Sequence, residues 1–233
     1  MKMDFYKFFG YISWLNYILW LLELNIVILV VNLPLLVLLL LGVRAWTLPA
    51  VFVAGITIGP SVLAAFDAMP HIEDGVVRYY FKSLKTKWKR CLKAWVPAWF
   101  LIVFLLADLV ILQTYGVMKP LKWGMAAVLL WLVSYLLSFL MVWSVWNQQG
   151  KDAAVLTLKL SFVKPLRFHL GILVLLGTIT LLGMKQIYFV FYGASLGLFL
   201  VYKNFVPIIR YVNERPENRE IRQGDVNEDA EGK

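Results

Sequence analysis

Residues 94–115 read AWVPAWFLIVFLLADLVILQTY, a run whose only charged side chain is Asp108. A helix of about 20 residues at 1.5 Å per residue crosses the hydrocarbon of a bilayer, whereas a helix on a soluble surface needs a polar stripe. This run has no such stripe and reads as a transmembrane helix. That reading decides the fold, because segments 19–43, 46–68, 123–146, 168–184 and 187–209 have the same character. The segment 168–184 is the shortest, and only Lys185 and Gln186 separate it from the next, so the pair forms either a tight hairpin or one re-entrant unit. The chain of 233 residues is 61% hydrophobic with a mean hydropathy of +0.73, far more apolar than a soluble core requires. The expected fold is an all-α, polytopic transmembrane helical bundle of about six spans within 1–212, with short cytoplasmic interfacial helices. Residues 213–233, NERPENREIRQGDVNEDAEGK, hold seven of the fourteen acidic residues and read as a disordered cytoplasmic tail. The run at 19–43 is too long for a signal-peptide core and carries Glu23, Asn25 and Asn32, so it reads as a retained first span.

Basic residues set the orientation, since they resist translocation and are held by the anionic inner leaflet. In the six-span reading, the N-terminus, the loop 70–93, the loop 147–167 and the C-terminal end hold 2, 7, 4 and 6 of them. Only Arg44, Lys119, Lys122 and Lys185 fall on the other side, which places both termini in the cytoplasm. The net charge of +9 is then an inside-surface signal and calls for no nucleic-acid partner.

The stretch RYYFKSLKTKWKRCLK at 78–93 has helical periodicity. Phe81, Leu84, Trp88, Leu92 and Trp95 form one stripe, and Arg78, Lys82, Lys85, Lys89 and Lys93 form another. Such a helix is expected to lie in the inner interface, with its aromatic face in the acyl boundary and its basic face toward anionic lipid or an acidic partner. Phe5, Phe8, Phe9 and Ile12 before the first span, and the loop KDAAVLTLKLSFVKPLRFH, suggest two more interfacial helices. GITIG at 55–59 and GASLG at 193–197 present Gly55, Gly59, Gly193 and Gly197 for close helix packing, and Gly59-Pro60 is expected to bend the second span.

Ionisable residues within spans are costly, which makes Glu23, Asp67, Asp108 and Lys203 the intramembrane polar candidates. Similar depths suggest that Lys203 is neutralised by Glu23, with Asp67 as second choice. No catalytic residue is expected. Ser61 sits on no GxSxG elbow, no Walker sequence occurs, and His71, His169 and Cys91 have no metal-ligand spacing. The expectation is no enzyme, no metal and no cofactor. A lone cysteine also allows no internal disulfide.

TIGPSVLAAFDAM at 57–69, followed by YYFKSLKTKWKRCLKAW at 79–95, resembles the YesL family of bacterial membrane proteins, a domain of unknown function. FYKFFGYISWLNYILWLLELN and AAVLTLKLSFVKPLRFHLGIL are similar to other parts of that family. The resemblance covers most of the chain to about Arg210 and departs at the first span, which is longer here. It implies a multi-pass protein of the bacterial plasma membrane, often encoded near sugar importers, and supplies no catalytic residues. The expected role is therefore an accessory or regulatory component of carbohydrate uptake, with the lipid bilayer, anionic lipids and a sugar importer complex as partners. The alternatives are a small secondary transporter or channel using the four polar candidates, and a structural or lipid-organising bundle.

Overall fold

The computed structural model describes residues 13–42, 45–114, 119–146, 150–163 and 193–213, together with 170, 173 and 177. Every regular element among the described residues is helical. The chain opens with α1 (Ser13–Val31) and continues after Asn32 as α2 (Leu33–Leu40). A single 3-10 turn, Ala45–Thr47, leads into α3 (Leu48–Gly55) and α4 (Ile58–Ala68). The 3-10 segment Met69–Asp74 and Gly75, at φ +102°, turn the chain into α5 (Val76–Thr114). The remaining helices are α6 (Lys119–Trp146), α7 (Gly150–Val163) and α8 (Ala194–Asn213).

Three stretches among the described residues are long and apolar enough to cross a membrane: Leu48–His71, Val76–Leu112 and Leu121–Val145. They correspond to the expected second, third and fourth spans. The expected first span, 19–43, is instead two helices that part at Asn32, because Pro34 has no amide hydrogen to offer the Val30 carbonyl. The expected fifth span lies outside the described residues except at 170, 173 and 177, and α8 covers the expected sixth from Ala194 onward. The expected helix around Phe5, Phe8 and Phe9 and the tail after Asn213 also lie outside them.

One expectation is corrected. The basic stretch 78–93 is not a separate interfacial helix but the first part of α5, which runs unbroken for 39 residues. At 1.5 Å per residue that is roughly 58 Å, about twice the hydrocarbon thickness, so α5 can both span and project beyond the apolar layer. Periodicity marks a helix but not its end, and no glycine or proline stands between Val76 and Val96 to end this one. The faces also differ from the two-stripe reading. Val76, Tyr80, Ser83, Cys91, Trp95 and Trp99 form the buried face, Phe81 is exposed, and the row Arg78, Lys82, Lys85, Lys89 and Lys93 is exposed throughout.

The α3–α4 hairpin partner of α5 is broken where its backbone loses a donor. Pro60 cannot donate to the Ile56 carbonyl, and the helix loosens at Ile56–Thr57, one turn before the proline. The Ile56 amide donates to the Val53 carbonyl at 3.3 Å, which leaves the Phe52 carbonyl without its usual α-helical donor. The Trp99 indole donates to that carbonyl at 2.9 Å, and the Trp95 indole donates to the Gly55 carbonyl at 3.1 Å. The two indoles stack with centroids 5.8 Å apart and planes 12° from parallel. They approach this closely because Gly55 and Gly59 have no side chains: a Cβ on either would overlap the ring of Trp99 or Trp95.

Gly55→Ala and Gly59→Ala test this contact. Alanine improves helix propensity by about 1 kcal/mol, but forcing a methyl into a packed ring costs about 1 to 3 kcal/mol and a shifted indole also forfeits its hydrogen bond. Both variants should therefore be less stable in detergent. Cys91 is the only cysteine and is buried, so thiol labelling during a temperature ramp reads the unfolding midpoint directly.

Candidate functional site

Two polar constellations sit where α4, α5 and their neighbours meet. The first joins the break between α1 and α2 to the break between α3 and α4. Asn32 donates through Nδ2 to the Ile28 carbonyl and to Ser61 Oγ, both at 2.8 Å, and its Oδ1 lies 2.9 Å from the Thr57 hydroxyl. The Thr57 proton is shared between that oxygen and the Ala54 carbonyl at 3.1 Å. Ser61 Oγ is 2.7 Å from the buried Tyr80 hydroxyl on α5. A chain of this kind, with each member partnered, satisfies polar groups that lipid would leave stranded.

The second constellation centres on Asp67, near the end of α4. Its carboxylate accepts hydrogen bonds from Ser83 of α5 and from Ser144 of α6, the latter at 2.7 Å. Lys87 of α5 pairs with both oxygens, at 2.9 and 3.0 Å. With side-chain exposures of 12% for Asp67 and 25% for Lys87, the pair is shielded enough for its geometry to matter, although open enough for solvent to weaken it. Three helices are thereby tied at one carboxylate.

Beside this carboxylate opens a cleft of about 490 Å³. One wall is a single face of α5, made by Tyr79, Lys82, Ser83, Thr86 and Lys87 at helical spacing. Asp67, Pro70 and His71, from the end of α4 and the turn after it, also line the cleft, as do Ser144, Val145 and Tyr202. His71 is stacked on Tyr79 with centroids 4.1 Å apart and planes 8° from parallel, and its Nδ1 lies 4.0 Å from Asp74.

The four expected intramembrane candidates do not share one site. Asp67 belongs to the cleft and is held by Lys87, and among the described residues no ion pair joins Lys203 to Glu23 or to Asp67. The Lys203 ammonium lies over the Phe199 ring, 5.3 Å from its centroid, at the exposed side of α8. Glu23 is half-buried on α1. Asp108 stands on α5 twenty-one residues beyond Lys87, roughly 32 Å along the helix. Gly193, just before α8, and Gly197, in its first turn, are buried. Here the fully buried Asn25 of α1 accepts the Ala194 and Ser195 amides at 3.0 and 3.1 Å, capping the helix from a distant part of the chain.

Sequence reasoning missed Asn25, Asn32, Ser61, Ser83 and Ser144 as partners. A serine in an apolar helix is weak evidence alone, but Ser144 lies near the same end of its helix as Asp67 does, and matched depth is the signal that links them. The chain matches no family model, and no curated protein or solved structure is significantly similar to it.

A double-mutant cycle tests the Asp67 tie. Asp67→Asn and Lys87→Met should each cost about 1 to 3 kcal/mol, since each strands a partly desolvated partner, and the double variant should lose less than their sum. Additive losses in the thiol-labelling midpoint would mean that the pair contributes nothing.

Proposed function

We propose that this chain is a multi-pass protein of the bacterial plasma membrane, with both termini cytoplasmic, that serves as a non-enzymatic accessory or regulatory component of carbohydrate uptake. The observation that carries this reading is α5. A spanning helix continues without interruption into a segment whose Arg78, Lys82, Lys85, Lys89 and Lys93 are exposed. A basic surface on the same helix as an apolar stretch long enough to span suits docking of an acidic partner at the bilayer, because its positive field meets the partner next to the membrane. The surplus of basic residues on that side supports its cytoplasmic placement. The resemblance of 57–69 and 79–95 to the YesL family supports the link to sugar importers.

The transporter reading gains little from the geometry. A pathway through Glu23, Asp67, Asp108 and Lys203 would need these groups along one route, yet Asp67 is tied to Lys87 and Asp108 lies far along α5.

Two measurements test the proposal. In a Cys91→Ala background, Lys89→Cys should react with a membrane-impermeant maleimide only after cells are permeabilised. Affinity purification of the full chain should retain the membrane subunits of a sugar importer, and Lys89→Glu with Lys93→Glu should release them. Solute flux through vesicles containing this chain alone, abolished by Asp108→Asn, would overturn the accessory reading in favour of a transporter.

A further inference from the structure

The cleft beside Asp67 has more positive charge than its own structure uses. Its walls contain one carboxylate and two ammonium groups, Lys82 and Lys87. Asp67 is already engaged by Ser83 and Lys87 of α5 and by Ser144 of α6, which take up its acceptors. Lys82 is exposed, and no ion pair among the described residues neutralises it. Arg78, Lys85 and Lys89 extend the positive field along the same helix, and a cleft focuses such a field. Asp74 is the opposing charge, but it is 71% exposed and sits outside the walls beside His71.

We propose that this cleft binds a phosphate group, presented either by an anionic lipid or by a soluble phosphate ester. Lys82 meets the phosphate directly, together with the hydrogens of Lys87 that Asp67 does not take. His71, stacked on Tyr79, also lines the cleft. Donors from two elements, α5 and the turn Met69–Asp74, suit a tetrahedral anion, whose oxygens point in several directions, better than a flat carboxylate. The volume of about 490 Å³ holds a headgroup or a small ester, within the usual range of ligand sites. Asp67 acts here as a positioning residue: it fixes Lys87 at the wall and leaves Lys82 as the mobile cation. The proposal does not depend on the uptake reading, since it concerns the cleft wall and not the Lys89 and Lys93 surface.

The test uses the full chain in nanodiscs, with Cys91 labelling as the unfolding readout, because a ligand that binds the folded state raises the midpoint. In phosphatidylcholine discs, inorganic phosphate and glycerol phosphate are titrated, with acetate as the carboxylate control. In a second arm, phosphatidylglycerol replaces part of the phosphatidylcholine. A rise with glycerol phosphate or inorganic phosphate assigns a soluble source, and a rise with phosphatidylglycerol alone assigns a lipid. In either case Lys82→Gln should weaken binding about tenfold, as expected for loss of a charged hydrogen-bond donor. Lys82→Arg should keep it, and Lys85→Gln, on the same helix but outside the cleft, should leave it nearly unchanged. Lys82 is exposed and does not hold the fold, so these variants remain readable. No rise in either arm, an equal rise with acetate, or equal losses from Lys82→Gln and Lys85→Gln would overturn the proposal.

Discussion

The packing of this bundle depends on the seating of Trp95 and Trp99 against the glycine face of the α3–α4 segment. A backbone break inside an apolar helix is expensive where lipid offers no hydrogen bonds, and Pro60 forces one. The two indoles offset that cost by donating to the Phe52 and Gly55 carbonyls, and only Gly55 and Gly59 let them come close enough to do so. Once α5 is docked in this register, Tyr80 reaches Ser61 and Lys87 reaches Asp67. The polar chain and the cleft are therefore consequences of an aromatic contact one to four turns away.

The same contact explains why the polar groups are tolerable. Asn32, Thr57, Ser61 and Tyr80 answer one another across α4, α5 and the α1–α2 junction, and the Asp67 carboxylate is answered by three donors. Asn32 and Thr57 also bond the Ile28 and Ala54 carbonyls of their own segments, and their other partners come from neighbouring helices. The distant cap that Asn25 gives to α8 follows the same rule, since the first amides of that helix have no partner within it.

Exposure varies along the helices in a way that bears on the site. On α6, the stretch from Leu136 to Trp143 is mostly buried, whereas Leu121, Trp123, Val128 and Trp131 are exposed. On α5, Phe100, Phe104 and Ile111 are exposed beyond the tryptophan pair. Large apolar side chains left open on spanning helices are what lipid covers, while the tightly packed end is the one that holds the cleft.

The sequence by itself determined the helical class, the three apolar helices around 48–71, 76–112 and 121–145, and the exposure of the basic row on α5, because each of these follows from composition and spacing along one segment. GxxxG at Gly55 and Gly59 marked a face without side chains, but not that indoles would occupy it. The continuity of the basic stretch with the span was hidden, since amphipathic spacing contains no signal for where a helix stops. The partners of Asp67, Asn25 and Lys203 were decided only in the tertiary structure. Depth along a helix restricts which charges can meet, and rotation about the helix axis, set by which faces pack, chooses among them. That choice gave Asp67 to Lys87 and left Lys203 over Phe199.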